Sequence, residues 1–246
     1  DLFKDAVLYA MPMLFDNLEE VQYVRGHMDD RLRELMEQAG YVNFGFAGGG
    51  FAYLMSKRPI ANLDDMKGLK VWVPEGDQLS YGAAKALGIS PVSMPLTDVL
   101  TGLQTELLDI IMGPPAGTIV LQWNTGVSHI TDLPLAYIFA MLVIDKKYFD
   151  RIRPEDQTVV REVMEQVYRG FDTQGDEDNE KAYQALLDDG MQPVAPDSGQ
   201  IPAWRQAIRE SNQALAAAGL LNTALLGEVE CMVDAFRAGK EAHDCN

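Results

Sequence analysis

Histidines and metal-binding or nucleophile motifs are the usual carriers of chemistry, and this chain offers little of either. His27, His129 and His243 lie far apart in the sequence. The chain contains no HExxH motif, no CxxC pair, no calcium-binding loop and no GxSxG nucleophile elbow. We therefore expect surface or capping histidines, no metal site and no hydrolase triad.

A glycine-rich stretch, GFAGGG at residues 45–50, comes nearest to a phosphate-binding loop. It lacks the GxGxxG spacing of dinucleotide-binding folds, and no GK[ST] follows it as in a P-loop. We interpret the glycines as residues that let the end of a strand turn toward a cleft. We expect no cofactor.

Carboxylates are abundant, with an acidic run at residues 175–181. General acid–base catalysis needs positioned groups, and no spacing selects a pair here. We interpret the run as the solvated face of a helix. The sequence favours binding over catalysis, and we name no catalytic residue.

The overall charge restricts the partners. The 246 residues include 37 acidic and 20 basic ones, and the net charge of −17 repels phosphate backbones, which excludes nucleic acid. Hydrophobic residues make up 47%, enough for one large domain or two modest ones. The longest apolar stretch, residues 133–144, is too short to cross a bilayer, so we expect no membrane span.

The two cysteines, Cys231 and Cys245, lie close together near the end of the chain. Two thiols cannot build a disulfide scaffold or a four-thiolate metal site. In an oxidising compartment they could pair and hold the C-terminal tail, whereas in the cytosol they would be free thiols.

Periodicity and turn residues predict an α/β framework. Apolar residues at helical spacing predict a helix over residues 17–39. Strands and helices alternate over 41–112, which predicts a mostly parallel sheet with helices on both faces. A helical pattern over 153–190 is longer than an ordinary domain helix and is typical of a strut between lobes. Two further helices are expected, over 201–218 and 223–238.

An ordered set of short motifs resembles the DctP family, the solute-binding subunits of TRAP (tripartite ATP-independent periplasmic) transporters. The matching pieces are RPI at 58–60, DMKGLKV at 65–71, ALG at 86–88, SPV at 90–92, DV-TGLQT at 98–105, VIDKKYF at 143–149 and PEDQ-VVREV at 154–163. Each piece alone is weak, but together they are specific and cover essentially the whole chain.

The resemblance implies a periplasmic-binding-protein-like α/β fold of the class II type, with two lobes, a ligand cleft and a long connecting helix. Lobe I would comprise residues 1–48 and about 136–175, and lobe II about 49–135 and 176–246. Chains of the family begin with further residues that carry the first strands of lobe I. We therefore expect lobe I to be incomplete here, through truncation or omission of that segment.

The resemblance also implies a function that is not enzymatic. The protein would capture a small solute in the periplasm, close its lobes on it and deliver it to TRAP membrane subunits. An enzyme, a ligand sensor or a degraded relative on a similar two-lobed scaffold stays open as the alternative.

One family feature is replaced in this chain. In the family, an arginine just before a Val-Pro pair binds the solute carboxylate through two hydrogen bonds. Trp72 occupies that position here. A second binding arginine of the family corresponds to about Ala52, and a family asparagine corresponds to Gly113. We therefore expect no arginine–carboxylate clamp.

Aromatic rings beside an acidic group could hold the solute instead. Such a cleft suits an organic cation or a polar neutral compound, and we expect both to bind better than dicarboxylates. Organic acids are the third class of solute that we consider. The candidate ligand-binding residues are Phe51, Tyr53, Trp72, Glu75, Gly113, Trp123 and Tyr137. For Trp72, the alternative is that the indole fills volume in a buried strand.

Overall fold

The structure is a computed structural model that describes residues 6–241 and 245. The strands are β1 Tyr41–Asn43, β2 Ala47–Ser56, β3 Val71–Pro74, β4 Pro91–Met94, β5 Ile110–Gly113, β6 His129–Ala140, β7 Val143–Asp145 and β8 Gln192–Val194. The α-helices are α1 Leu18–Gln38, α2 Gln78–Ala86, α3 Val99–Gln104, α4 Pro115–Val120, α5 Lys146–Phe149, α6 Pro154–Asp188, α7 Ile201–Ala217 and α8 Thr223–Arg237. Within this described part, no helix combines the length and apolar character needed to cross a membrane.

Six strands form one mixed sheet in the order β4-β3-β5-β2-β6-β8, and β1 pairs with β7 in a separate sheet. β3 runs parallel to β4 and β5, and β6 runs parallel to β8. β2, however, runs antiparallel to both of its neighbours, β5 and β6. The predicted alternation therefore holds from β3 to β5 but not from residue 41, because β1 and β2 precede the parallel unit without an intervening helix.

The glycine-rich stretch does not turn the chain, so our interpretation of residues 45–50 as a strand end is wrong. β2 runs through the last four of these positions, with two register irregularities against β6. The glycines instead let α6 lie directly on β2. A Cβ atom built on Gly50 would lie 2.2 Å from Asn179 Nδ2, and one built on Gly175 would lie 1.9 Å from the Gly48 carbonyl oxygen.

α1 confirms the helix predicted over residues 17–39. Asn17 caps it, because its side-chain oxygen accepts a hydrogen bond from the Glu20 N–H at 3.0 Å. Gly40 follows the helix with a φ of +93°, a left-handed conformation that favours glycine at a helix end. The apolar face of α1, including Val24 and Met28, packs in one core cluster with α8.

α6 is a single helix of 35 residues, as predicted from the pattern over 153–190. Its N-terminal half packs Val160 and Met164 against Phe149 and the β1–β7 sheet. Its C-terminal half packs on β2 and α4. The helix therefore runs from the small sheet to the large one, a position that suits a strut. The division of the chain into two lobes stays a prediction.

The last two helices, α7 and α8, occupy the stretches predicted over 201–218 and 223–238. α7 packs on α2, whereas α8 packs on α1. Cys231 of α8 forms a disulfide with Cys245, with the two sulfur atoms 2.07 Å apart. The structure thus contains the pairing that the sequence left open, and it attaches the tail to α8.

Candidate functional site

A cavity of about 740 Å³ opens between α1, β2 and α6, and we refer to it as the α1–α6 cavity. Its volume falls in the range of sites that bind small organic molecules. α6 and the segment just before α1 supply carboxylates to the lining, and β2 supplies two aromatic residues. The carboxylates are Asp16, Asp172, Asp176, Glu177 and Glu180.

One wall of the α1–α6 cavity is an ion-pair network around the buried Arg25. Arg25 Nη1 donates to Asp172 Oδ1 at 2.6 Å, and Nη2 donates to Asp29 Oδ2 at 3.1 Å. Nη2 also donates to the Phe46 carbonyl at 3.0 Å, and the Tyr9 hydroxyl donates to Asp29 at 2.7 Å. Because a buried guanidinium must be paired, these contacts join α1 to α6 and neutralise the charge of Arg25.

The next turn of α6 places a second carboxylate beside a buried phenol. The side chain of Tyr137 on β6 is fully buried, and its hydroxyl donates to Asp176 Oδ1 at 3.2 Å. Burial raises the pKa of Asp176, and the hydrogen bond from Tyr137 opposes that rise. Burial also raises the pKa of the Tyr137 hydroxyl, which keeps it protonated as the donor.

Asn179 joins three elements beneath the α1–α6 cavity. Its side chain is buried, with Nδ2 donating to the Phe51 carbonyl at 3.3 Å. Its Oδ1 accepts a hydrogen bond from the Ala116 N–H, also at 3.3 Å. These bonds connect α6 to β2 and to α4, and Gly50 leaves the space in which the amide lies.

Tyr53 is the second aromatic residue in the lining. Its ring centroid lies 5.1 Å from that of Tyr183, whose hydroxyl donates to Asp132 at 3.2 Å. Burial, followed by the charges of Asp132 and Glu180, raises the pKa of Tyr53 to about 12. Burial is therefore the main cause of the shift, and two nearby carboxylates add to it.

The structure brings three of the seven candidate ligand-binding residues together. Phe51 and Tyr53 line the α1–α6 cavity, and Tyr137 lies just behind its wall, with its ring 5.5 Å from that of Phe51. Glu75 is exposed after β3 and does not line this cavity.

The remaining candidates, Trp72, Trp123 and Gly113, pack together elsewhere. The two indoles make an edge-to-face contact at 5.1 Å, and each is only 3% exposed. Trp72 Nε1 donates to the Met94 carbonyl at 3.0 Å, and a Cβ atom on Gly113 would lie 3.3 Å from the Trp123 ring. Trp72 and Trp123 therefore fill volume in a core beside the sheet and do not line the α1–α6 cavity, which is the alternative stated above for Trp72.

Four residues around the α1–α6 cavity were missed by sequence reasoning. They are Arg25, Asp172, Asp176 and Asn179. We interpreted the acidic run as a solvated face, and this is wrong for Asp176, since that side chain points toward Tyr137. The spacing of Asp172, Asp176 and Asn179, four and then three residues apart, was the available signal for one shared helix face.

The histidines take part in local contacts. His27 Nδ1 lies 2.7 Å from the Tyr23 carbonyl oxygen, and His129 Nδ1 lies 2.9 Å from Ser128 Oγ. His243 lies outside the described residues. Across residues 6–241 and 245, no three His, Cys, Asp or Glu side chains form a group that could hold a metal ion.

Comparison with known proteins assigns this chain to a family. The family model for bacterial extracellular solute-binding protein, family 7 (DctP), matches residues 1–218. The C4-dicarboxylate-binding periplasmic protein DctP of Rhodobacter capsulatus is 26% identical over 188 residues, which cover 76% of this chain and 56% of that protein. The 2,3-diketo-L-gulonate-binding periplasmic protein YiaO of Escherichia coli is 29% identical over 156 residues, covering 61% of this chain and 46% of that protein. The chain thus spans about half the length of the curated relatives it matches.

Solved structures show the same fold. A TRAP periplasmic solute-binding protein from Shewanella oneidensis with bound succinate superposes with a TM-score of 0.81 at 19% identity, covering 94% of this chain and 75% of that one. One from Xanthobacter autotrophicus with bound β-D-galacturonate gives 0.79 at 20% identity, covering 93% and 74%. These matches confirm the predicted periplasmic-binding-protein-like α/β fold. By its family match over residues 1–218, the chain belongs to the DctP family of bacterial extracellular solute-binding proteins.

Proposed function

We propose that this protein captures a small organic solute in the periplasm and delivers it to the membrane subunits of a TRAP transporter. The family match over residues 1–218 carries this proposal. The family and the structural neighbours are transport binding proteins and not enzymes. A cavity of suitable size, with aromatic and polar groups in its lining, supports a binding role for this chain.

The solute would be held without an arginine–carboxylate clamp. Trp72 and Gly113 belong to a packed core, where the indole N–H of Trp72 already donates to the Met94 carbonyl, and Ala52 has no polar side chain, so none of these positions supplies a guanidinium to a solute. In the α1–α6 cavity, Phe51 and Tyr53 would contact the apolar part of the solute, and the wall of α6 would contact its polar part.

Thermal unfolding of the purified chain with a panel of solutes tests the proposal. The panel contains succinate and galacturonate, which neighbouring proteins bind, together with neutral polyols and small amines. At a concentration 100 times its Kd, a ligand stabilises the folded state by about 2.7 kcal/mol, or roughly 5–10 °C for a chain of this size. The stabilising compound should be recovered chemically unchanged.

Two variants connect such a shift to the α1–α6 cavity. Tyr53→Ala removes a ring from the lining and should reduce the shift, whereas Tyr148→Ala removes an exposed ring that lies outside the lining and should leave it intact. Turnover of the compound would favour an enzyme, and the absence of any shift across the panel would contradict a binding function.

A further inference from the structure

The charge of the α1–α6 cavity distinguishes among the solutes that the proposed function allows. Five carboxylates and two basic residues, Arg25 and Lys181, line it, and one of the carboxylates, Asp16, is already paired with Arg205 and Arg237 outside the lining. Charges in a partly enclosed site interact more strongly than they do in bulk water, because fewer water molecules screen them. The excess of carboxylates therefore disfavours a second anion and favours a cation.

Both basic side chains already have partners. Arg25 pairs with two carboxylates at 2.6 and 3.1 Å, and Lys181 Nζ lies 3.5 Å from Glu177. An organic acid would have to compete with Asp172 and Asp29 for Arg25, whereas the pair of Lys181 with Glu177 is exposed and weak. Among residues 6–241, Asp176 and Glu180 take part in no ion pair of the kind that Arg25 and Lys181 form. Asp176 accepts hydrogen bonds from the Tyr137 hydroxyl and the Gly50 backbone, which leave its charge without a basic partner. Two lining carboxylates thus lack a basic partner.

The aromatic part of the lining favours the same class of ligand. Phe51 and Tyr53 belong to the lining that contains these carboxylates, with Phe51 the more deeply buried of the two at 8% exposure. Aromatic rings attract ammonium groups through their negative faces and also bury the methyl or methylene groups attached to the nitrogen. The rings and the carboxylates can therefore act on one ligand, the rings on its apolar part and the carboxylates on its charge.

On these grounds we propose that the solute held in the α1–α6 cavity is a small organic cation of the ammonium class. The inference rests on the proposed function, since it names the solute class of the same site. Cationic selectivity separates this chain from the structural neighbours described above, whose bound succinate and galacturonate are anions.

Matched ligands isolate the contribution of charge. Calorimetric titration would compare choline, ethanolamine and putrescine with the neutral analogue of choline in which a carbon atom replaces the nitrogen, and with succinate and galacturonate. We expect at least one cation to bind, and choline, if it is the ligand, to bind at least about tenfold more tightly than its neutral analogue. Added salt should weaken the binding.

Matched variants show whether a lining carboxylate contributes to binding of the cation. Glu180→Gln removes a carboxylate from the lining and should raise the Kd of the bound cation about tenfold. Glu162→Gln removes an exposed carboxylate of α6 outside the lining and should leave the Kd unchanged. The thermal midpoint without ligand shows whether each variant is folded. If Glu180→Gln does not fold, Asp176→Asn provides a second lining variant.

The outcomes separate the two proposals. If acids or neutral compounds bind while no cation does, the solute class is wrong but the binding function stands. The solute class is also wrong if a cation binds equally well to the wild type and to the folded lining variants. If no compound binds, the proposed function fails together with the inference.

Discussion

The contact between α6 and β2 can be tested by adding a single methyl group. Gly175 lies in the interior of α6, and a Cβ atom at this position would lie 1.9 Å from the Gly48 carbonyl oxygen. Ordinary van der Waals contact begins at about 3.4 Å, so Gly175→Ala must move the helix and the strand apart by about 1.5 Å. The obstacle is backbone, which cannot rotate away as a side chain can.

The same helix offers a matched control. Gly170 also lies inside α6, and a Cβ atom on it would meet nothing within 4 Å. Alanine is favoured over glycine in a helix by up to about 1 kcal/mol, so Gly170→Ala should stabilise the protein by roughly 0.5–1 kcal/mol. Both variants make the same chemical change in the same helix, and only the space available to the methyl group differs.

The expected difference between the two variants is the cost of overpacking. The higher helix propensity of alanine stabilises both variants by a similar amount, so it cancels from the comparison. Overpacking typically costs about 1–3 kcal/mol, and Gly175→Ala should therefore be less stable than Gly170→Ala by about 1–3 kcal/mol. For a chain of this length, the thermal midpoints should differ by roughly 2–12 °C.

Urea unfolding followed by circular dichroism measures the difference, with the midpoint and the slope recorded for each variant. Equal midpoints for Gly175→Ala and Gly170→Ala would refute the reasoning, since helix propensity alone would then explain both. A lower midpoint for Gly170→Ala than for Gly175→Ala would place the close approach elsewhere on α6.

Three other predictions address the charges and the disulfide. Arg25→Met leaves two carboxylates without their partner and should lower the free energy of unfolding by about 3 kcal/mol in the same urea assay. Lys147→Met breaks an exposed pair with Asp145 and should leave the urea midpoint almost unchanged. Folding raises the pKa of Asp176, so ionisation of this carboxyl opposes folding, and Asp176→Asn should stabilise the protein near neutral pH. The stabilisation should vanish as the pH falls below the usual pKa range of an aspartate, because the carboxyl is then neutral in the folded and the unfolded state. An equal stabilisation at all pH values would contradict this cause. Without reductant, the intact mass should show the Cys231–Cys245 bond and no free thiol, and Cys231→Ser should cost about 2–3 kcal/mol.

Helices that depend on local signals were predicted well from the sequence. The bounds of α1 follow from the Asn17 cap and the glycine at position 40, both of which act within one turn of the chain. The length of α6 follows from uninterrupted periodicity after Pro154. Ordered motifs, not periodicity, indicated the family, because the family is defined by residues far apart in the sequence.

Strand direction and the position of the site depend on contacts between distant residues. β2 is antiparallel to β5 and β6, and nothing within its own ten residues specifies this. Likewise, the indole of Trp72 was predicted to lie at a cleft, but its burial depends on the Trp123 ring and the Met94 carbonyl, which lie on other elements. The resemblance gave the position of Trp72 in the family pattern, whereas these contacts decide where its side chain lies.

Gly175 also connects the stability of the fold to the proposed binding of a solute. Asp172, Asp176 and Asn179 lie within about one turn of it on α6, and all three line the α1–α6 cavity. The bond from Asn179 to the Phe51 carbonyl is already 3.3 Å long, so a separation of about 1.5 Å between α6 and β2 would break it. A methyl group at position 175 should therefore weaken solute binding even at temperatures where the variant remains folded. If Gly175→Ala is destabilised but binds its solute with the Kd of the wild type, then α1 and β2 position the cavity lining, and the packing of α6 on β2 does not.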